Sequence, residues 1–304
     1  MQTYLIAARA IHFAAVTLIF GAALFLLYGG DAAWRLLAGR NPRVWLAGGA
    51  GVAIVSALLW LDAASATMSG TWEGARDPQI LKTILIKTAF GRLWRWRLVL
   101  AVILLGTLLW QGALVKRGRC LFVVILAGLL AASLAGTGHA VMLTRAPGGL
   151  LVTAQALHLL AAGAWLGGLL PLAWGLWHGA RETNMTKRDD LALVLLRFST
   201  LGTLVVGIVA ATGIVSAVLI VRDPHLVIAV PYGRVLITKI CVFLLMTGVA
   251  ADNRWRLSAA IRDRTRASEA GATIGLLSRN VMVEIGFGAA ILGLVSLLGT
   301  LSPS

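Results

Sequence analysis

Eight long apolar stretches, separated by short polar segments, set the pattern of this chain. The apolar stretches cover residues 3–28, 44–67, 98–114, 120–143, 150–177, 191–221, 235–251 and 280–301. A helix of about 20 apolar residues crosses the ~30 Å hydrocarbon core of a bilayer, and only helices and closed barrels can satisfy their backbone groups there. The pattern therefore predicts an all-α, polytopic helical membrane protein with eight transmembrane helices and one helical-bundle domain, 1–304.

The composition leads to the same class of protein. The chain has 304 residues, of which 59% are hydrophobic and 13% charged, and its mean hydropathy is +0.88. A soluble protein could not bury that much apolar surface. Cys120 and Cys241 are expected near opposite membrane faces, so we predict no disulfide between them.

Lys and Arg are unevenly distributed over the predicted loops, and this sets the orientation. The loops after the first, third, fifth and seventh spans are basic, and the loop 252–279 alone holds six arginines. Because basic loops stay in the cytoplasm, we expect 252–279 to be cytoplasmic and both termini to lie outside, on the periplasmic side of a bacterium. The net charge of +15 then indicates contact with anionic lipid, and not binding of nucleic acid.

The connection 68–97 is basic although it is expected on the outer side. Five of its six basic residues alternate at helical spacing with aliphatic ones, and they are Lys82, Lys87, Arg92, Arg95 and Arg97. We interpret 68–97 as a periplasmic connection with an amphipathic helix on the membrane surface. The alternative is that the third span starts early and its basic side chains extend to the interface.

Three histidines are expected at a similar depth near the outer face: His12, His139 and His158. Met142 follows His139 by three residues, on the same helical face, and Met68 ends the second span on the outer side. A histidine inside a membrane span marks a candidate functional site. Imidazole and thioether together suit copper, since thioether selects Cu(I) and imidazole accepts both oxidation states. The sequence therefore predicts a His/Met metal site in the outer half of the bundle.

Two other interpretations of the histidines remain open. His12 and His158, at matched depth, could be the axial ligands of a b-type haem. Alternatively, each histidine only forms a hydrogen bond with a neighbouring helix.

The fifth span has two further features. Gly163 and Gly167 form a GxxxG pattern, which is typical of close helix packing. Trp165 follows His158 by seven residues, or two helical turns, and is expected beside the same site.

Four other polar side chains lie within or at the ends of spans. Asp62 and Lys239 are both expected near the outer face, and we favour an ion pair between them. Glu284 and Arg254 are expected near the inner face, where a buried Glu–Arg clamp is favoured over an inner site for a departing cation. The chain contains no HExxH, GxSxG or Walker motif, so we do not expect an enzyme unless a bound haem makes it an oxidoreductase.

Five segments of the sequence together resemble the CopD/PcoD copper-resistance membrane protein family. They are GHA at 138–140, HLLAAGAWLGGLLPL at 158–172, YGRVLITK at 232–239, ADNRW at 251–255 and LLSRNVMVE at 276–284. The resemblance implies eight spans with the N-terminus outside. It also implies movement of copper across the bacterial inner membrane and a separate periplasmic CopC-like copper carrier as partner.

Carried over by position, the resemblance makes His12, His139 and His158 candidate copper ligands, together with Met68 and Met142. Only six methionines are present, which departs from a methionine-rich copper relay. Copper transport, in copper resistance and homeostasis, is thus the leading hypothesis. A haem redox protein is the alternative, and an assembly or sensor protein that presents copper to a partner is a third possibility.

Overall fold

The computed structural model describes residues 1–37, 41–110, 117–136, 146–179, 185–220, 228–257 and 270–302. Ten α-helices cover most of these ranges. In chain order they are α1 Gln2–Leu36, α2 Pro42–Ser69, α3 Trp72–Arg76, α4 Pro78–Lys87, α5 Ala89–Leu109, α6 Arg117–Ser133, α7 Ala146–Gly179, α8 Met185–Ile220, α9 Pro231–Asp252 and α10 Ala270–Leu298. A short 3-10 turn, Leu134–Gly136, follows α6, and a π-helical turn, Asn253–Leu257, follows α9.

Seven of these helices are long and apolar enough to cross a membrane: α1, α2, α6, α7, α8, α9 and α10. This confirms the prediction of an all-helical, multi-span protein. The remaining long helix, α5, overlaps the predicted third span. It carries Arg92, Arg95 and Arg97 within its first nine residues, so that only residues 98–109 of it are free of charge.

Helix α1 packs against α2, α6, α7, α8 and α10 and so lies inside the bundle. Its contact with α7 is made by backbone. A Cβ on Gly21 would collide with the Gly163 carbonyl oxygen and the Gly167 Cα, and a Cβ on Gly167 would collide with the Thr17 carbonyl oxygen. The GxxxG pattern of α7 therefore packs closely, as the sequence predicted, and its partner is Gly21 of α1.

The direction of each helix follows from its contacts. Gly21 meets Gly167 and, further along, Leu36 meets Gly175, so α1 and α7 run parallel. In α2 and α5, Ala57 accepts a hydrogen bond from Trp94 and Arg43 donates to the carbonyl of Leu109. Helices α2 and α5 are therefore antiparallel along most of their length.

Helix α1 bends at Gly30, whose φ of 57° lies in the left-handed region that glycine adopts readily. The bend frees carbonyl groups, and Arg197 of α8 donates to two of them, Tyr28 O at 3.1 Å and Gly29 O at 2.8 Å. Beyond the bend, Arg35 forms an ion pair with Asp190 at 2.6 Å. These contacts hold this end of α1 against α8.

The connection 68–97 contains three helix starts. The side chains of Thr71, Asp77 and Thr88 cap α3, α4 and α5 by accepting hydrogen bonds from backbone N–H groups. Helix α4 buries one residue, Ile84. Its position on a membrane surface stays a prediction.

Candidate metal centre

His12 and His158 lie at the same depth in the bundle. Helices α1 and α7 are parallel, and Gly21 lies opposite Gly167. His12 precedes Gly21 by nine residues, and His158 precedes Gly167 by nine. The two imidazoles are therefore level, although they are 146 positions apart in the chain.

His12 is completely buried, with 0% of its surface exposed. Its Nδ1 lies 3.0 Å from the carbonyl oxygen of Ala53 and 3.1 Å from Ser56 Oγ. A carbonyl can only accept, so Nδ1 carries the proton and Nε2 keeps a free lone pair. Nε2 is buried and has no hydrogen-bond partner among the described residues. This is the nitrogen that a metal ion would bind.

His158 is held in the same way from the other side of the bundle. Its Nδ1 lies 3.0 Å from Thr212 Oγ1, and Thr212 donates its own hydroxyl proton to the Ile208 carbonyl at 2.5 Å. Nδ1–H of His158 is therefore the donor to Thr212 and Nε2 has the lone pair. His158 lines a cavity of about 180 Å³ together with Arg9 and Lys239.

The two rings belong to different surroundings. His12 is anchored to α2 and also lies 5.6 Å from the Trp60 ring, whereas His158 is anchored to α8. Axial ligands of one haem would have to face a common iron, and this arrangement does not support the haem alternative.

Positive charge surrounds His12, and the sequence analysis did not assign these groups to the site. Trp60 has the Arg9 guanidinium 5.3 Å from its ring centroid and the Arg97 guanidinium at 5.0 Å. Arg97 is fully buried and donates to the Ser133 carbonyl at 3.0 Å, and Arg9 donates to the Gly299 carbonyl at 3.0 Å. The sequence did contain a sign of these groups, because an arginine within or beside an apolar run marks a candidate functional residue.

Of the other predicted ligands, the structure describes Met68, and Met68 is not brought to this site. Met68 is 53% exposed in the last turn of α2. It lies twelve residues beyond Ser56, which is about 18 Å along the helix axis. His139 and Met142 lie outside the described residues. Within the described ranges, no group of three or more His, Cys, Asp or Glu side chains could hold a metal.

The predicted ion pair between Asp62 and Lys239 is wrong. Helix α2, which carries Asp62, packs on α1 and α5, whereas α9, which carries Lys239, packs on α10. An ion pair that the structure does contain joins Arg35 and Asp190. Lys239 instead lines the cavity beside His158.

The predicted Glu284–Arg254 clamp is also wrong. Glu284, 3% exposed, accepts hydrogen bonds from Trp165 Nε1 at 3.2 Å and from Asn253 Nδ2 at 2.6 Å. Arg254 donates to the carbonyl and hydroxyl oxygens of Ser199. Trp165 thus contacts Glu284 and not the His158 ring. These side chains line a second, mostly apolar cavity of about 170 Å³.

Two family models of known proteins match parts of this chain. Residues 1–150 match the family model described as copper resistance protein D-like, N-terminal domain, and residues 192–298 match the model described as copper resistance protein D. No solved structure matches the chain.

Curated relatives match over most of the chain. The inner membrane protein YebZ of Escherichia coli (strain K12) is 33% identical over 98% of this chain and 98% of its own length. Copper resistance protein D of Pseudomonas syringae pv. tomato is 29% identical over 97% of this chain and 96% of its own. Copper transport protein CutJ of Bacillus subtilis (strain 168) is 27% identical over 79% of this chain and 44% of its own. The chain therefore belongs to the copper resistance protein D family.

Proposed function

We propose that this chain transports copper across the bacterial inner membrane and binds the metal at two separate positions, one at His12 and one at His158. One observation carries the proposal. Two imidazoles at one depth are each anchored through Nδ1. Each therefore keeps its lone pair on Nε2, and that of His12 has no hydrogen-bond partner among the described residues. The names of three relatives support the choice of copper and of the inner membrane. One is named for copper resistance, one for copper transport and one for the inner membrane.

The anchoring contacts are those expected around a metal-binding histidine. Such a histidine usually donates its second ring N–H to a carbonyl, carboxylate or water, which fixes the tautomer and the ring orientation. Ala53 and Thr212 provide these acceptors for His12 and His158. Imidazole nitrogen binds both Cu(I) and Cu(II). His139 and Met142 remain candidate further ligands. They follow Ser133 within nine residues, and Ser133 accepts a hydrogen bond from Arg97, which lies at the same Trp60 ring as His12.

The parallel contact of α1 with α7 supports eight crossings. Between these two helices the chain passes through α2, α5 and α6, while α3 and α4, with 5 and 10 residues, are too short to cross. If α5 did not cross, α7 would run antiparallel to α1. Helix α5 is thus the eighth transmembrane helix of the proposal, despite its three arginines.

Charge gives the proposed orientation. The hydrogen bond from Arg9 to Gly299 brings the start of α1 to the end of α10, so both termini belong on one side. The six arginines of 252–279 belong on the other side, which the positive-inside rule makes cytoplasmic. Copper would then enter at the periplasmic end, delivered by a CopC-like periplasmic carrier.

Replacing each histidine tests the site directly. We expect His158→Ala and His12→Ala to abolish copper-dependent tolerance and to lower copper bound per purified chain, because each removes one nitrogen ligand. Bound copper is measured by elemental analysis after gel filtration in detergent. His178→Ala is the matched control, since His178 lies on the same helix α7 but is exposed and contacts Trp174.

The controls separate loss of the metal from loss of the fold. All three variants should elute as the wild-type chain does, and the control should bind as much copper as wild type. Unchanged copper binding in His158→Ala and His12→Ala, with correctly folded protein, would contradict the site assignment.

A further inference from the structure

The cavity beside His158 has an unusual distribution of charge. Six polar side chains line it: Arg9, Gln155, His158, Ser216, Tyr232 and Lys239. Two of these are cations, and none of the described lining residues is Asp or Glu. An uncompensated charge inside a membrane protein is costly, so a cavity with two cations requires a source of negative charge.

The side chains of Arg9 and Lys239 can each donate further hydrogen bonds. Arg9 is 8% exposed and uses Nη1 on the Gly299 carbonyl, but its Nε is buried and has no partner in the described part of the chain. Lys239 is half-buried and forms no ion pair within the described ranges. Arg97, whose guanidinium lies 5.0 Å from the Trp60 ring centroid, adds a third positive charge nearby.

We propose that this cavity binds a small inorganic anion such as chloride, held between the Arg9 guanidinium and the Lys239 ammonium. The volume of about 180 Å³ has room for such an ion. The hydroxyl of Ser216 and the amide of Gln155 line the same space and can donate further hydrogen bonds.

A lipid headgroup does not fit the depth of this site. Lys239 lies eight residues after Pro231, where α9 begins, which is about 12 Å along the helix axis. The polar headgroup layer is only about 5–8 Å thick on each side of a bilayer. We therefore take the anion to be a free one that enters the bundle.

Such an anion goes beyond the proposed copper binding but would assist it. A copper cation that approaches His158 meets Arg9 and Lys239, which repel it. An anion between these residues offsets the repulsion and leaves the His158 lone pair accessible. Anion binding itself needs no copper, so it can be tested on metal-free protein, and its failure is distinct from a failure of the copper proposal.

The test measures the linewidth of the chloride-35 NMR resonance with the full, copper-free chain in detergent and a gluconate buffer. We expect excess broadening that saturates with chloride and is removed by bromide. Lys239→Met should weaken the affinity by about tenfold or more, because a buried charge partner is lost. Lys82→Met is the matched control, since Lys82 is an exposed lysine of α4, and it should bind chloride as wild type does.

The wild-type titration decides the proposal even if the Lys239 variant does not fold. Absence of saturable, bromide-sensitive broadening in the wild-type chain would overturn it. So would chloride binding that appears only in Asp223→Asn, because Asp223, which lies outside the described residues, would then be the counter-charge of the cavity. Equal affinity in wild type and in a folded Lys239→Met variant would also overturn it.

Discussion

At the residue scale, the chemistry of the site depends on which nitrogen of each imidazole is free. In His158 the answer is set by Thr212, whose hydroxyl proton is committed to the Ile208 carbonyl and whose oxygen must therefore accept. In His12 it is set by the Ala53 carbonyl. Neither Thr212 nor Ala53 would touch the metal, yet both orient a ligand that does.

Replacing Thr212 by valine tests this positioning. Thr212→Val keeps the shape of the side chain but removes the acceptor of His158 Nδ1–H, and we expect copper affinity to fall by about 10–100-fold. The measurement is a competition titration of purified protein with a copper chelator. Thr200→Val on the same helix is the control, because Thr200 is exposed and bonds only the Leu196 carbonyl. Equal affinity in the two variants would mean that Thr212 does not position the ligand.

At the element scale, the contact between α1 and α7 fixes the depth of the two histidines. Gly21 and Gly167 leave no space for a methyl group, and a methyl group on Gly163 would press on the Phe20 ring at 3.0 Å. Close backbone approach of this kind is how helices associate in a membrane, where no hydrophobic effect drives them together. The spacing of the glycines in α7 was visible in the sequence, but Gly21 as their partner was not.

A single methyl group should disturb this contact. We expect Gly167→Ala to destabilise the protein by about 1–3 kcal/mol, because overpacking forces the backbones apart. The readout is the thermal unfolding midpoint in detergent. Gly207→Ala in α8 is the matched control, since a Cβ there meets no atom within 4 Å, and its midpoint should equal or exceed that of wild type. An unchanged midpoint for Gly167→Ala would show that the helices can separate at little cost.

At the scale of the whole molecule, the topology depends on α5. This helix has three arginines within its first nine residues, so that only residues 98–109 of it are free of charge. Arg97 is nevertheless fully buried against Ser133 of α6 and the Trp60 ring of α2. The charged group of Arg97 thus lies inside the bundle.

Reporter fusions test the crossing of α5. We expect alkaline phosphatase to be active when fused after Thr71 or after the last residue of the chain, and silent when fused after Trp110, because α5 would carry Trp110 to the cytoplasm. A green fluorescent protein fused at the same sites should show the opposite pattern. Active phosphatase at both Thr71 and Trp110 would show that α5 does not cross.

The sequence predicted the helices and the matched depth of two histidines in the membrane. It did not predict which side chains contact one another across neighbouring helices. Apolar runs identify spans because each span is a local property of the chain. The depth of His12 and His158 could also be counted, since both helices start near the same membrane face. The contacts of Glu284 with Trp165 and Asn253 could not be predicted, because they depend on which helices are neighbours. The same reason explains why Asp62 and Lys239 do not meet.

The glycine contact between α1 and α7 has a consequence for how a substrate could pass. Backbone packed on backbone at Gly21 and Gly167 offers few side chains whose rotamers could change at this contact. We therefore expect α1 and α7 to move as one unit, with both imidazoles mounted on it. In an alternating-access cycle this pair would be the fixed frame. Exposure of the site to either face would require the other helices to tilt around it.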